Sequence, residues 1–375
     1  MIKKIGLDIS VLNDEELTGI GVYTYQLIKS LFKNNPQQKF ILFGIATFST
    51  HQKLQNIEFK NHPNVEVKVF KLPAKLFRLV FKLWQKIGWP RIEELIGPVD
   101  LFHSFNWYLP PQKTGKVVAT VFDTTSVTYP DWHHPKTTEL DKIRFKQISK
   151  LADCVITISE HSKQDFLKLY PKSIVEVVYP AADERFDSII NKLKTKQVLQ
   201  KYNLKPGYIL SVSTLEPRKN LSTLIKAYND SNLEQPLVLV GKQGWKNEEL
   251  NDLLKSNTNI IRTGFVPVED LKILYQQAGC LVYPSFYEGF GIPVLEAMKC
   301  GCPVICSDTS SLPEVGGDAV LYIDPTKKED IVNQLKIITQ EKNKRSEMIN
   351  KGFKQANNFS WENSAKKLAA IYEKL

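Results

Sequence analysis

The chain has 375 residues, 42% hydrophobic and 24% charged, a balance that suits a globular protein with room for two α/β domains and excludes a disordered or fibrous one. Its formal net charge of +10 lies mostly in the first half: residues 1–180 hold 24 Lys and Arg against 17 Asp and Glu, the rest 26 against 23. Such a surplus suits phosphorylated or anionic-lipid partners, and without a nucleic-acid-binding signature no nucleic acid is expected. No apolar run reaches the roughly 18 residues of a membrane span and the N-terminus lacks a signal peptide, so a cytoplasmic protein is expected.

In chain order, Ile2 to Ile9 reads as a strand ending near Asp8 and Ser10. Thr18-Gly19-Ile20-Gly21 then opens an amphipathic helix to about Lys33; the Gly-x-Gly turn resembles a nucleotide-binding start but lacks the full G-x-G-x-x-G and its downstream acid. Strand patterns at 40–43, 65–70, 99–102, 117–121, 155–158 and 175–179 alternate with helical ones. That alternation predicts a parallel sheet whose ligands gather beyond the strand C-termini. The rule selects Asp8, His103 with Ser104, Asp123 with Thr124, and Ser159. His103 suits a backbone-bonded residue at a strand end as well as a site residue, and His133 and His134 suit a surface loop.

The stretch 71–89 stands apart. Lys75, Arg78, Lys82 and Lys86 share one helical face, Leu76, Leu79, Val80, Leu83, Trp84 and Ile87 another, and no acid occurs between Glu66 and Glu93. A helix lying on an anionic membrane surface has this pattern. So does a surface helix that packs its apolar face on its own domain.

Tyr179 to Asp183 reads as a connection between domains, placing one at 1–180 and a second at 181–359. In the second, strand 208–212 leads to Thr214-Leu215-Glu216-Pro217-Arg218-Lys219-Asn220 and a helix from Leu221. Arg218 and Lys219 at a strand-to-helix turn can neutralise a diphosphate. Strands follow at 237–240 and 260–264, the latter running into Phe265 and Val266. Strand 279–283 and helix 293–299 then flank Glu288-Gly289-Phe290-Gly291, where glycine permits positive φ and close approach of a ligand to the backbone. Glu288 falls in that loop and Glu296 about one turn into the helix, so both can face one small polar ligand as acceptors for hydroxyls. Cys300, Cys302 and Cys306 lack a second ligand pair at usable spacing; with Cys154 and Cys280 they read as buried reduced thiols, and no metal is expected. Strands at 303–306 and 319–323 complete the pattern, and a last helix starts near Ser360-Trp361-Glu362.

Ser285 to Val294, with Glu296-Ala297-Met298 and Gly301-Cys302-Pro303-Val304, closely resembles the signature of retaining family 4 glycosyltransferases of the two-Rossmann-domain GT-B type, and Glu216 to Asn220 resembles that family's donor-phosphate motif. The resemblance covers nearly the whole chain and is densest from Ser211 to Asp324. It implies two Rossmann-like domains with parallel sheets facing across a cleft, the last helix, about 360–375, joining the first. It further implies that Glu288 with Gly289, Phe290 and Gly291 contacts the donor sugar and diphosphate, that Glu296 holds the ribose hydroxyls, and that Phe265 and Val266 cradle the base. Arg218 and Lys219 would stabilise the leaving diphosphate, Gly19 and Gly21 would border donor phosphate and acceptor, and His103 and Asp123 would join the catalytic group. Two departures stand out: Phe122 where many members have histidine, and Ser213 where glycine is common. The implied activity is retaining transfer of a hexose from a nucleotide diphosphate sugar, leaning toward GDP-mannose, to a saccharide acceptor, lipid-linked, in bacterial surface-polysaccharide assembly. No cofactor or metal is implied. The alternative is a non-transferring protein of this fold, either a nucleotide-sugar isomerase or a silent binding partner.

Overall fold

Short apolar strand segments separated by helical ones pair only in parallel here, each sheet being covered by the intervening helices. The computed structural model describes residues 3–13, 17–105, 108–187, 191–244 and 248–375, with the side chains of Ala74, Phe77, Arg78 and Lys82 outside the description. The chain divides into two units, Met1–Pro180 with Trp361–Leu375, and Ala181–Ser360.

In the first unit β1 (Lys4–Asp8), β2 (Lys39–Ala46), β3 (Val65–Lys71), β4 (Leu101–Phe105), β5 (Lys116–Val121), β6 (Cys154–Thr157) and β7 (Val175–Val177) form one sheet. Their order is β3-β2-β1-β4-β5-β6-β7. The winding reverses between β1 and β4, the switch point where open parallel sheets leave a crevice beyond their strand ends. The final helix, Trp361–Lys374, belongs to this unit. Trp361 meets Tyr23 edge-on at 5.7 Å between ring centroids, and Ser364 Oγ donates to the Tyr179 carbonyl at 2.6 Å.

The departure at one strand moves a candidate site residue. The apolar pattern predicts 99–102, whereas β4 spans Leu101–Phe105. The Asp100 carboxylate accepts the amides of Lys3 and Lys4 at 2.8 and 2.9 Å, which fixes residue 100 at the β1 entry and delays the strand. His103 is therefore a mid-strand residue, fully buried, not one beyond the strand end. Its Nδ1 meets Tyr372 Oη at 2.5 Å and its Nε2 meets Thr120 Oγ1 at 2.8 Å. Burial pushes its imidazole down to about 3, so the ring is neutral.

In the second unit β8 (Ile209–Val212), β9 (Leu237–Val240), β10 (Ile260–Gly264), β11 (Cys280–Tyr283), β12 (Val304–Ser307) and β13 (Leu321–Ile323) pair in the order β10-β9-β8-β11-β12-β13. The switch point lies between β8 and β11. Leu224, Ile225, Leu239, Val282, Ile305 and Leu335 centre the core beneath it. All five cysteines are free and buried, and burial raises their thiols, Cys280 to about 12. Among the described residues no helix is long and apolar enough to cross a membrane, and no three His, Cys, Asp or Glu side chains gather as metal ligands would.

Because Tyr372 satisfies the buried imidazole, Tyr372→Phe should lower unfolding free energy by about 1–3 kcal/mol, the cost of an orphaned buried polar group. Denaturant unfolding followed by tryptophan fluorescence measures this; an unchanged midpoint would refute the pairing.

Candidate active site

The turns after β8 and β11 meet at the second unit's switch point. After β8, Pro217 opens a single 3-10 turn, Pro217–Lys219, and Asn220 closes it at φ 57° before the helix Leu221–Ser231. Asparagine tolerates this left-handed conformation better than most residues. The Asn220 amide donates to the carbonyls of Pro284 at 3.1 Å and Pro325 at 2.7 Å, tying together the turns after β8, β11 and β13. The sequence motif includes Asn220 without revealing this brace. Nor does any sequence signal mark Ser310 or Ser311. Ser310 Oγ accepts the Glu288 amide at 2.9 Å, and Ser311 Oγ bridges the carbonyls of Glu288 and Phe290 at 2.9 and 2.8 Å. Gly291 takes φ 112°, and a β-carbon there would lie 2.6 Å from Leu312 Cδ2. Only glycine fits this turn.

These braces hold a buried chain of charges. Glu288 Oε1 accepts Lys219 Nζ at 2.6 Å and Oε2 accepts Arg218 Nη1 at 2.9 Å. Arg218 also donates to the Tyr287 carbonyl at 2.7 Å and, through Nη2, to Glu216 Oε1 at 2.8 Å. Lys219 Nζ reaches Tyr283 Oη at 3.0 Å. Glu288 is 6% exposed and Lys219 8%, so this is an interior cluster. Burial acts to raise the Glu288 carboxyl, but Lys219 and Arg218 beside it hold it down to about 2. Burial, with Arg218 nearby, pulls the Lys219 ammonium below its usual range against the attraction of Glu288. Two cations thus stand fixed at a strand-end turn, matched by two carboxylates.

Glu296 has different neighbours. It lies in the helix Ile292–Lys299, and its Oε2 accepts Tyr275 Oη at 3.0 Å. Burial, reinforced by Asp183 and opposed by Tyr275 and Arg185, raises its carboxyl to about 8. At the start of this helix Pro293 has no N–H, and the amides of Val294 and Leu295 return to the Gly291 carbonyl at 3.0 and 3.4 Å. Phe290 turns its ring inward against Phe359, 5.4 Å away, so Gly289 and Phe290 present backbone rather than side chain. Phe265 is 54% exposed, with Lys242 Nζ 5.2 Å from its ring centroid, and Val266 is buried. Ser213 extends pairing toward β9 by donating to the Val240 carbonyl at 2.9 Å. The close crossing is relieved opposite it at Gly241, where a β-carbon would sit 1.9 Å from the Ser213 carbonyl.

The first unit carries its own polar group. Asp8 is buried at the end of β1, accepts the Ser10 amide at 2.8 Å, and is raised by burial to about 6. Asp123 follows β5; its Oδ1 accepts the Thr125 amide at 2.9 Å and the Thr125 hydroxyl at 2.5 Å. Thr125 Oγ1 in turn meets His133 Nε2 at 3.0 Å, which brings this loop histidine into the Asp123 network. Arg144, in the helix Pro135–Leu151, is a further member: burial lowers its guanidinium, opposed by Asp141, Tyr108 and Asp123. Inside a long polar helix it gave no sequence signal. Phe122 is a packing residue, edge-on to Tyr23 at 5.1 Å. Gly19 starts the helix Gly19–Asn34 with no atom within 4 Å of where its β-carbon would lie, while Gly21 packs on Leu17.

Known proteins resemble this chain in sequence and in fold. Residues 17–186 match the family described as Glycosyltransferase Family 4, and residues 194–355 match Glycosyl transferases group 1. The O-antigen chain mannosyltransferase B of Escherichia coli is 34% identical, over 96% of this chain and 97% of that protein. Sucrose-phosphate synthase from Thermosynechococcus elongatus superposes with a TM-score of 0.77 at 19% identity, covering 99% of this chain and 98% of that one. Anabaena Alr3699/HepE in complex with UDP and glucose gives 0.72 at 16% identity, covering both chains fully, 100% of each. Identity along almost the full length, and a double parallel-sheet fold shared with those structures, place this chain in the family 4, group 1 glycosyltransferases of the GT-B type.

Proposed function

We propose that this glycosyltransferase moves a hexose, mannose from GDP-mannose by preference, onto a lipid-linked saccharide during bacterial surface-polysaccharide assembly, with retention at the anomeric carbon. The Lys219–Glu288–Arg218 cluster at the β8/β11 switch point carries the reading. Departure of a nucleoside diphosphate builds negative charge on the β-phosphate, and preorganised cations lower that barrier without reorganising. Arg218 and Lys219 supply this charge, so no divalent cation is required. Glu288 orients both cations and favours the ionised form of the buried Lys219, while facing the sugar. Glu296 receives the ribose hydroxyls, and the backbone at Phe265 and Val266 takes the base. Gly19 leaves room for phosphate and acceptor, Gly21 lets Leu17 pack closely beside that turn, and Asp123 orients the acceptor. His103, neutral and doubly bonded, serves packing rather than chemistry. Retention follows from front-face attack, in which the donor phosphate removes the acceptor proton. Mannose and the polysaccharide setting are supported by the name of the 34% identical relative. The site of action is the cytoplasmic side of the cell membrane.

Incubation with labelled nucleotide sugars and a lipid-linked acceptor tests the reading directly. Nucleoside diphosphate should be released in step with glycosylated product, most efficiently from GDP-mannose; sugar conversion without release would indicate an isomerase instead. Lys219→Ala should reduce turnover by roughly 10² or more, and near-normal activity would sink the diphosphate assignment. Excess EDTA should leave the rate intact, whereas loss restored by Mg²⁺ would overturn the cation-free mechanism.

The two glutamates should separate by role. Glu288→Gln removes the anion that orients both cations, so transfer should fall while GDP still binds. Glu296→Ala should weaken GDP binding by about 1–3 kcal/mol. The ionised carboxylate is the better acceptor and its group titrates near 8, so wild-type affinity should rise as pH climbs through that value. Calorimetry at pH 7 and 9 checks this, and Glu296→Gln should abolish the rise.

A further inference from the structure

We propose that the face built by Phe70 to Trp89 docks on a bilayer leaflet carrying anionic headgroups. The helix Phe77–Ile87 presents apolar side chains in two directions. Phe81 and Trp84 turn inward and join Phe43 and Phe102 in the core of the first unit. Leu76, Leu79, Leu83 and Ile87, at spacings of three, four and four, turn outward instead, with Ile87 64% exposed and the following Trp89 63%. Packing on its own domain therefore accounts for one apolar side and leaves the other in solvent. Between this helix and the edge strand β3 runs an apolar groove of about 320 Å³, lined by Phe43, Phe70, Val80, Leu83, Trp84 and Trp89. An exposed apolar face of this kind marks a docking surface.

The charge pattern identifies the occupant. Lys68, Lys71, Lys75, Arg78, Lys82, Lys86 and Arg91 all fall in the acid-free interval between Glu66 and Glu93. Those seven equal the entire surplus of 24 cations over 17 anions in residues 1–180; outside the interval that half is neutral. Lys71, Lys75 and Lys86 are exposed beside the apolar face. Two copies meeting through this face would bring like charges together. A leaflet with anionic headgroups satisfies both features at once: acyl chains accept the leucines and Ile87, headgroup phosphates accept the lysines, and Trp89 suits the boundary.

Sedimentation with vesicles tests this on the intact chain. Binding to phosphatidylglycerol vesicles at low salt should exceed binding to phosphatidylcholine vesicles by tenfold or more, and should collapse at high salt. Replacing Lys75, Arg78, Lys82 and Lys86 with Gln should remove it, as should Leu79→Ser with Ile87→Ser and Trp89→Ser. Both variants should bind GDP like the parent, which separates this surface from the donor site and reports that they fold. A readout without any variant is quenching of tryptophan fluorescence by brominated phosphatidylglycerol. Retained binding in either folded variant, or no quenching, overturns the proposal. So does a dimer in solution that the serine variant converts to monomer, which would assign the face to a second copy.

Discussion

One buried carboxylate governs the second unit's site. Glu288 takes up Lys219 on one oxygen and Arg218 on the other, and without it the buried Lys219 ammonium would lose its carboxylate partner. Desolvation makes the arrangement costly unless its geometry is held closely, and the braces around it meet that need. Asn220 joins three strand-end turns, and Ser310 and Ser311 pin the backbone on both sides of Glu288. Much of the polar structure near the β8/β11 switch point therefore exists to place one anion between two cations.

The two sheets share a winding but use it differently. Each reverses direction beside its first strand, so β1/β4 and β8/β11 are equivalent places in the two units. In the second unit that place holds cations on a rigid turn, suited to a diphosphate. In the first it holds the buried acid Asp8, with Asp123 one strand further along, suited to polar hydroxyl partners. A fold alone fixes neither chemistry; the side chains just after the strands decide it.

The sequence made the architecture readable because parallel strands are short, apolar and well separated: Leu237–Val240 is read correctly to the residue. Its error at β4 has a tertiary cause. Asp100 bonds amides nearly one hundred residues earlier, and no local pattern carries that information. The resulting shift by two positions changes His103 from a residue beyond the strand into one within it. Glu288 and the Arg218–Lys219 pair were legible separately, by spacing and motif. That they touch was not, since they lie about seventy residues apart in sequence. Ser310 and Ser311 reach Glu288 from 22 and 23 residues away, and serine is too common a residue type to stand out.

The helix Phe77–Ile87 shows the reverse problem, a local pattern that is clear yet insufficient. Its apolar residues cover too wide an arc to tell whether they face the core, the solvent or both. Burial of Phe81 and Trp84 together with exposure of Leu79, Leu83 and Ile87 shows that they do both. A soluble domain gains nothing from the second apolar side, which costs hydration and invites aggregation. The concentration of the charge surplus of residues 1–180 in the same short interval gives that side a counterpart. Apolar exposure and uncompensated positive charge are each unfavourable alone, and an anionic leaflet relieves both. An enzyme whose acceptor is anchored in a membrane would then meet it in two dimensions, with Asp8 at the end of one strand and Asp123 just after another in the sheet against which the anchoring helix packs.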